Sequence, residues 1–404
     1  MTPRSLDGIR IIALEQYAAG PYGTVHLADL GAEVIKLEDP PSGGDISRYV
    51  GPFAEGEDSL FYETFNRNKR SLGLDLRTPE GRAVFEDLVK VSDAVYFNMR
   101  GDVPEKLRIR YADLAHLNPK IVCCSLSAYG MTGDMKAEPG YDYMLQAMCG
   151  WMSLTGEPGA PPAKSGLSVV DFAGGLAAGY SLVAALLSAA RTGVGSDCDV
   201  SLYDVAMSFL SYPGTWHLTR GHEPERMARS AHPSLVPFQA FEAADGWVVL
   251  GCAKEKFFPR MCAALDVPGL AEDPRFATFA DRRTEKAELI AALDVAVAKL
   301  DVTEVLERMR RAGVPAGPVL SVAQALAHPL AAQRGSVVTT EHPVLGPVRA
   351  PSSPIRVGEP RTEHRRAPFR NEDADYVLRD LLGYADDRVA AVTSAGAVGP
   401  TRAG

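Results

Sequence analysis

The chain opens with short apolar runs that alternate with longer amphipathic ones. Residues 9–14 (IRIIAL) are rich in β-branched side chains and follow Asp7-Gly8, the pattern of a buried strand. Residues 20–30 read as a helix stopped by Gly31, and 32–38 (AEVIKLE) as a second strand. A helical stretch at 78–89 precedes an apolar run at 94–97 (AVYF), and Asn118-Pro119 precedes another at 121–126 (IVCCSL). Strands separated by helical crossovers predict a parallel sheet covered by helices.

Further along, 151–165 is a Gly/Pro-rich loop, and 172–190 is the longest apolar segment. That segment holds three glycines, two serines and a tyrosine, so it reads as a buried helix rather than a membrane span. From about residue 235 the pattern changes to short strands such as 246–250 (GWVVL), then to helices over 254–311, which predicts a smaller second domain. Residues 315–319 and the Pro-rich stretch to about 370 read as a return to the first domain, and 392–404 as a loose tail. No internal repeat is visible.

Composition narrows the function. Hydrophobic residues make up 46% of the 404 and charged residues 23%, an ordinary soluble globular balance. The net charge of −9 argues against nucleic acid as a partner, because phosphate binding needs a concentrated basic surface. The first ten residues lack the apolar core of a signal peptide, and the six cysteines are scattered without a C-x-x-C pair. Reduced thiols, a cytoplasmic location and no membrane partner are therefore expected.

The β–α–β start ends in Glu38-Asp39, as dinucleotide-binding folds do, but the first turn (EQYAAGPYG) has no G-x-G-x-x-G. Nucleophile-elbow, P-loop and H-E-x-x-H motifs are also absent. His232, in Ala231-His232-Pro233-Ser234, is either a site-lining or a structural histidine. Asp171 stands out among the acids. It ends the run Gly166–Val170 and enters a glycine-containing helix, at or near an N-cap. The glycines leave backbone amides uncovered beside it, where a ligand could approach and a developing oxyanion be held.

Taken in order, several stretches resemble the class III coenzyme A transferases. They are LDGIRIIAL at 6–14, AGP at 19–21, LADLGAEVIKLE at 27–38, NRNKRSLGLDL at 66–76, TPEGR at 78–82, PGYD at 139–142 and the SGLSVVD segment ending at Asp171. ADGWVVL at 244–250, DPRFAT at 273–278 and GVPAGPV at 313–319 match in the second half. The resemblance implies an α/β fold with a Rossmann-like large domain, a smaller α+β domain, and two subunits interlocked as a homodimer. On this reading the large domain takes 1–225, the small domain 226–325, and 326–404 returns to the large one.

The resemblance also implies that Asp171 is a nucleophile that carries CoA between carboxylic acids, with CoA as substrate and no metal or prosthetic group. Its partners are then an acyl-CoA and a small carboxylic acid. Tyr17 and Ala18 fall in the loop that borders CoA in such proteins, and Asn98-Met99 matches an Asn-Phe pair beside it. Arg77 and Lys106 match basic positions suited to phosphates, and Tyr141 a tyrosine near the acyl group. Departures exist: NMRGD replaces the usual loop after Asn98, and Ala18 replaces the glutamine of formyl-CoA transferases, whose glycine-rich loop is missing. Formyl and oxalyl substrates are disfavoured accordingly. Two alternatives stay open. One is an α-methylacyl-CoA racemase, although racemases carry histidine where Tyr141 stands and tyrosine is a poor base at neutral pH. The other is a silent CoA-binding homologue.

Overall fold

The computed structural model describes residues 4–359 and 361–401. The chain divides into two compact units, one of Met1–Cys149, Gly166–Ser211 and Pro329–Gly404, the other of Gly150–Ser165 and Tyr212–His328. The second unit thus takes 150–165 and 212–225, segments that the sequence reading gave to the first domain.

In the first unit the four apolar runs become β1 (Arg10–Leu14), β2 (Glu33–Glu38), β4 (Ala94–Phe97) and β5 (Val122–Ser127), joined by two strands the pattern did not predict, β3 (Arg70–Gly73) and β6 (Ser196–Ser201). They form one sheet in the order β3-β2-β1-β4-β5-β6, with every pairing parallel. Helices α1 (Ala19–Asp29), α2 (Leu60–Asn66), α3 (Pro79–Lys90), α4 (Val103–Leu107), α5 (Asp142–Met148) and α6 (Val169–Thr192) lie between or beside the strands. A parallel sheet covered on both faces buries whole strands, so Val34, Ile35 and even Lys36 are fully enclosed.

Helix α6 packs on α1 through glycine. A Cβ on Gly175 would come within 2.5 Å of the Ala19 carbonyl oxygen, and one on Gly23 within 2.6 Å of the Gly175 carbonyl oxygen. The close approach needs both glycines, and either replaced by alanine would push the helices apart. The reading of this helix as buried holds only for the sides turned to α1 and to the sheet: Gly174, Ala178 and Leu182 are enclosed, whereas Tyr180 is 80% and Leu187 60% exposed.

The second unit carries β7 (Phe238–Ala243), β8 (Gly246–Gly251) and β9 (Ala316–Pro318), antiparallel in the order β9-β8-β7. Helices α7 (Phe257–Ala264), α8 (Lys286–Val297) and α9 (Val302–Ala312) close its core around Phe241, Leu250, Met261 and Leu293. Residues 315–319, expected in the return segment, instead form this edge strand, where a proline costs no ladder bond.

The return to the first unit contains the hairpin β10 (Val337–His342) and β11 (Gly346–Pro351), then α10 (Asp386–Ser394). The loose tail expected at 392–404 is packed as far as it is described. Val392 and Ala397 are fully buried, Val398 bridges Leu74, and the Asn371 amide donates to the Gly399 carbonyl at 2.6 Å; residues 402–404 lie outside the described ones.

Candidate active site

The strand order reverses between β1 and β4, and a cleft of about 390 Å³ opens there at the carboxyl ends of the strands. Open α/β sheets bind ligands at this switch point. Leu14 and Gln16 after β1, Leu37 at the end of β2, and Asn98 and Met99 after β4 face it. Arg77 joins them from the segment before α3.

The turn from β1 into α1 borders the cleft through Gln16. Tyr17 adopts φ +67°, a left-handed backbone rare for a residue with a side chain, and Ala18 is the buried N-cap of α1. The Asn98 side chain grips this turn: Gln16 N–H donates to Asn98 Oδ1 at 2.8 Å, and Asn98 Nδ2 donates back to the Gln16 carbonyl at 2.9 Å. The Asn98 amide is therefore committed to the protein's own backbone.

Asp171 is the third residue of α6, not its cap; Ser168 holds the cap position without a side-chain bond. The group that caps this helix is Asp142, 29 residues earlier at the start of α5. Its Oδ2 accepts from the Val170 and Asp171 amides at 2.8 and 3.3 Å, and Gln146 Nε2 donates to its Oδ1 at 2.6 Å. The helix amides expected to be open for an oxyanion are thus already taken by a buried carboxylate.

This arrangement sets the ionisation of Asp171. Burial pushes its carboxyl up, the negative charge of Asp142 adds to that, and the result is about 7 against an ordinary 3.8. No cation of the described residues is among the influences on it. Asp171 lies four residues before Gly175 and so shares its helix face, the one pressed against Ala19 and Gly23. Helix α6 thus packs on α1, which follows directly on Tyr17-Ala18, while Asp171 itself is not among the residues that line the cleft.

The other expected site residues are placed as follows. Arg77 is 61% exposed at the cleft rim, paired with Asp75 at 2.8 Å and Asp39 at 3.0 Å. Lys106, 67% exposed, lies on α4, the helix whose Val103 and Leu107 line the cleft, and pairs with Asp102 just before that helix. Tyr141 is the extended, 61% exposed residue just before Asp142. His232 belongs to the second unit and has a structural role there. Its ring stacks between Tyr212 and Phe238, and its Nδ1 accepts from the Ser234 and Leu235 amides at 3.1 Å each.

Sequence reasoning overlooked Asp142, although it adjoins the tyrosine singled out in Pro139-Gly140-Tyr141-Asp142. It also overlooked Lys36, Asp45 and Glu15, which form a buried charge network behind the β1–α1 turn. A lysine inside the apolar run VIKLE was the available signal for that network.

Comparison with known proteins agrees with this architecture. The model of CoA-transferase family III matches residues 6–374. The succinate–glutarate CoA-transferase of Agrobacterium fabrum is 36% identical over 93% of this chain and 95% of its own length. The acetyl-CoA:oxalate CoA-transferase of Acetobacter aceti is 35% identical over 91% and 95%, and the human succinyl-CoA:glutarate CoA-transferase 32% identical over 98% and 90%. Among solved structures, a CAIB/BAIF family protein from Brucella suis superposes with a TM-score of 0.81 at 34% identity, covering 94% of this chain and all of its own. A Mycobacterium tuberculosis protein does so with 0.82 at 29% identity, over 93% and 99%. The parallel sheet, the switch-point cleft and a family match from Leu6 to Ala374 together place this chain in CoA-transferase family III.

Proposed function

We propose that this protein moves coenzyme A from an acyl-CoA donor to a small carboxylic acid, with Asp171 as the covalent carrier. The observation that supports this best is the state of Asp171: withdrawn from water, with no cation of the described residues acting on it, raised to about 7, and in the first turn of the helix that packs on α1. A carboxylate stripped of water and of counter-charge is a stronger nucleophile than an exposed one, while about half remains ionised near neutral pH.

The chemistry balances without redox or net proton transfer. An Asp171 oxygen attacks the donor thioester carbonyl, the C–S bond breaks, and CoA thiolate leaves a mixed anhydride behind. The thiolate then attacks the aspartyl carbonyl and releases the donor acid as its carboxylate, giving an aspartyl-CoA thioester. The acceptor carboxylate attacks that carbonyl and expels the thiolate, which finally takes the acceptor acyl group and frees Asp171. The cleft supports CoA binding between Gln16 and Met99, with Arg77 and Lys106 exchanging carboxylates for phosphates.

The relatives named for succinate and glutarate suggest small dicarboxylic acids as the first acceptors to try, and the one named for oxalate brings oxalate into the test although the departures in sequence disfavour it. The test is a matrix of acyl-CoA donors and acid acceptors, read by chromatography of the CoA thioesters. A new thioester formed at the expense of the donor supports transfer; hydrolysis alone, or no change across the matrix, contradicts it. The same raised pKa would suit a racemase base, so each donor is also incubated in deuterated water. Uptake of α-deuterium without transfer would favour that reading.

An interlocked homodimer belongs to this proposal. It is supported by the apolar side chains that α6 exposes, Tyr180 and Leu187. A mass in solution near twice 43.3 kDa is expected. The six free cysteines suit a reducing, cytoplasmic setting.

A further inference from the structure

The turn joining β1 to α1 is held by side chains from three other places in the chain. Lys36 Nζ, from β2, donates to the Glu15 carbonyl at 2.8 Å. Asn98, from the end of β4, takes both the amide and the carbonyl of Gln16. Asp45, from the loop after β2, accepts from the Tyr17 amide through Oδ1 at 3.0 Å and pairs with Lys36 through Oδ2 at 2.8 Å. Lys36 is fully enclosed and Asp45 only 2% exposed. The Glu15 side chain is fixed in turn by Lys69 at 2.6 Å and Thr24 at 2.8 Å.

Two features make this more than packing. Tyr17 is held at φ +67°, a conformation that persists in a non-glycine residue only where the surroundings impose it. A buried Lys–Asp pair, moreover, adds little net stability, because desolvation cancels most of its attraction. What such a pair does supply is direction: two charges with fixed donors and acceptors leave the turn one arrangement.

We propose that Lys36, Asp45 and Asn98 are positioning residues for transfer, holding the 15–18 turn so that a bound thioester is set against Asp171. The proposal rests on the transferase reading above. Asn98 then acts through the protein backbone, and its amide is not a ligand for CoA. Misplacement of a positioning loop by about 1 Å can cost on the order of 100-fold in rate.

The test uses the full-length enzyme with an acyl-CoA donor and hydroxylamine, following aspartyl hydroxamate formation over time. Asn98→Ala removes the grip on Gln16 at a partly exposed site, and Asp45→Asn keeps an acceptor for Tyr17 but removes the charge facing Lys36. Both variants should reach the wild-type final yield while forming hydroxamate about 10- to 100-fold more slowly per labelled site. A merely structural role lowers the yield and the melting temperature and leaves the rate per site unchanged. Wild-type rate per site in either folded variant overturns the proposal; if Asp45→Asn does not fold, Asn98→Ala decides alone. No hydroxamate from the wild-type enzyme with any donor would instead overturn the transferase reading, and the proposal with it.

Discussion

Glu38, at the end of β2, and Asp171, in the first turn of α6, are both withdrawn from water, and burial alone pushes either carboxyl upward. At Glu38 that push is outweighed by Arg48, whose Nη2 lies 2.6 Å from Oε1, helped by Lys36 and by the Ser71 hydroxyl, and the group sits at about 2. At Asp171 the neighbour is another carboxylate, and the group sits at about 7. Burial sets how strongly a neighbour is felt; the sign of the neighbour's charge sets the outcome. The first setting is a closed ion network of structural use; the second, on the proposal above, holds an acid reactive at a cost in stability.

The largest effect expected from breaking this contrast is at Asp171 itself. Asp171→Asn should reduce transfer to background while CoA binding, measured by calorimetry, stays close to wild type. The same change should raise the melting temperature. A carboxyl whose folded value exceeds its unfolded 3.8 loses stability as pH rises from there through about 7. The gain from asparagine should therefore be full at pH 8 and nearly absent at pH 4. Equal melting temperatures at pH 8 would show that Asp171 carries no such cost.

Arg48→Met strikes the opposite setting. It leaves Glu38 enclosed without its cation, and a loss of about 3–5 kcal/mol is expected in denaturant unfolding. In the wild-type protein the contribution of Glu38 is present above its unfolded 4.5 and disappears as pH falls through about 2. The variant should accordingly show a shallower acid limb in its stability profile. A loss under 1 kcal/mol would mean that the network does not hold this end of β2.

Smaller effects sharpen the comparison. The rate of transfer should rise with pH as one group ionises near 7, because the carboxylate is the reacting form. Asp142→Asn keeps an oxygen to cap α6 but removes the like charge, so this limb should move to lower pH with little change in the melting temperature. A limb that stays in place would assign it to another group.

How much of this was legible in the chain follows from where the determinants sit. Strands β1, β2, β4 and β5 announced themselves as apolar runs because both faces of the sheet are covered. Strand β6 did not: as an edge strand half open to solvent, its sequence SDCDVS carries no apolar run. The segment 392–404 looked loose because its residues are small and polar, yet Ala397 is fully buried and Val398 bridges Leu74, just after the edge strand β3. Asp171 itself was visible from its place before a glycine-containing helix and from the family resemblance. Its partner was not, since Asp142 meets α6 across 29 residues. Asn98 was singled out by the family resemblance, but its grip on Gln16 spans 82 positions and is a property of the sheet order rather than of any local pattern.

The central claim, that Asp171 becomes covalently acylated, is tested most directly by peptide mass spectrometry. The enzyme is mixed with an acyl-CoA, no acceptor acid and hydroxylamine, digested, and the fragment containing Gly166–Gly175 is sequenced in the mass spectrometer. The account predicts a hydroxamate, or a CoA adduct when hydroxylamine is withheld, on Asp171 and on no other residue of that fragment. Donor consumption with Asp171 unmodified would contradict it.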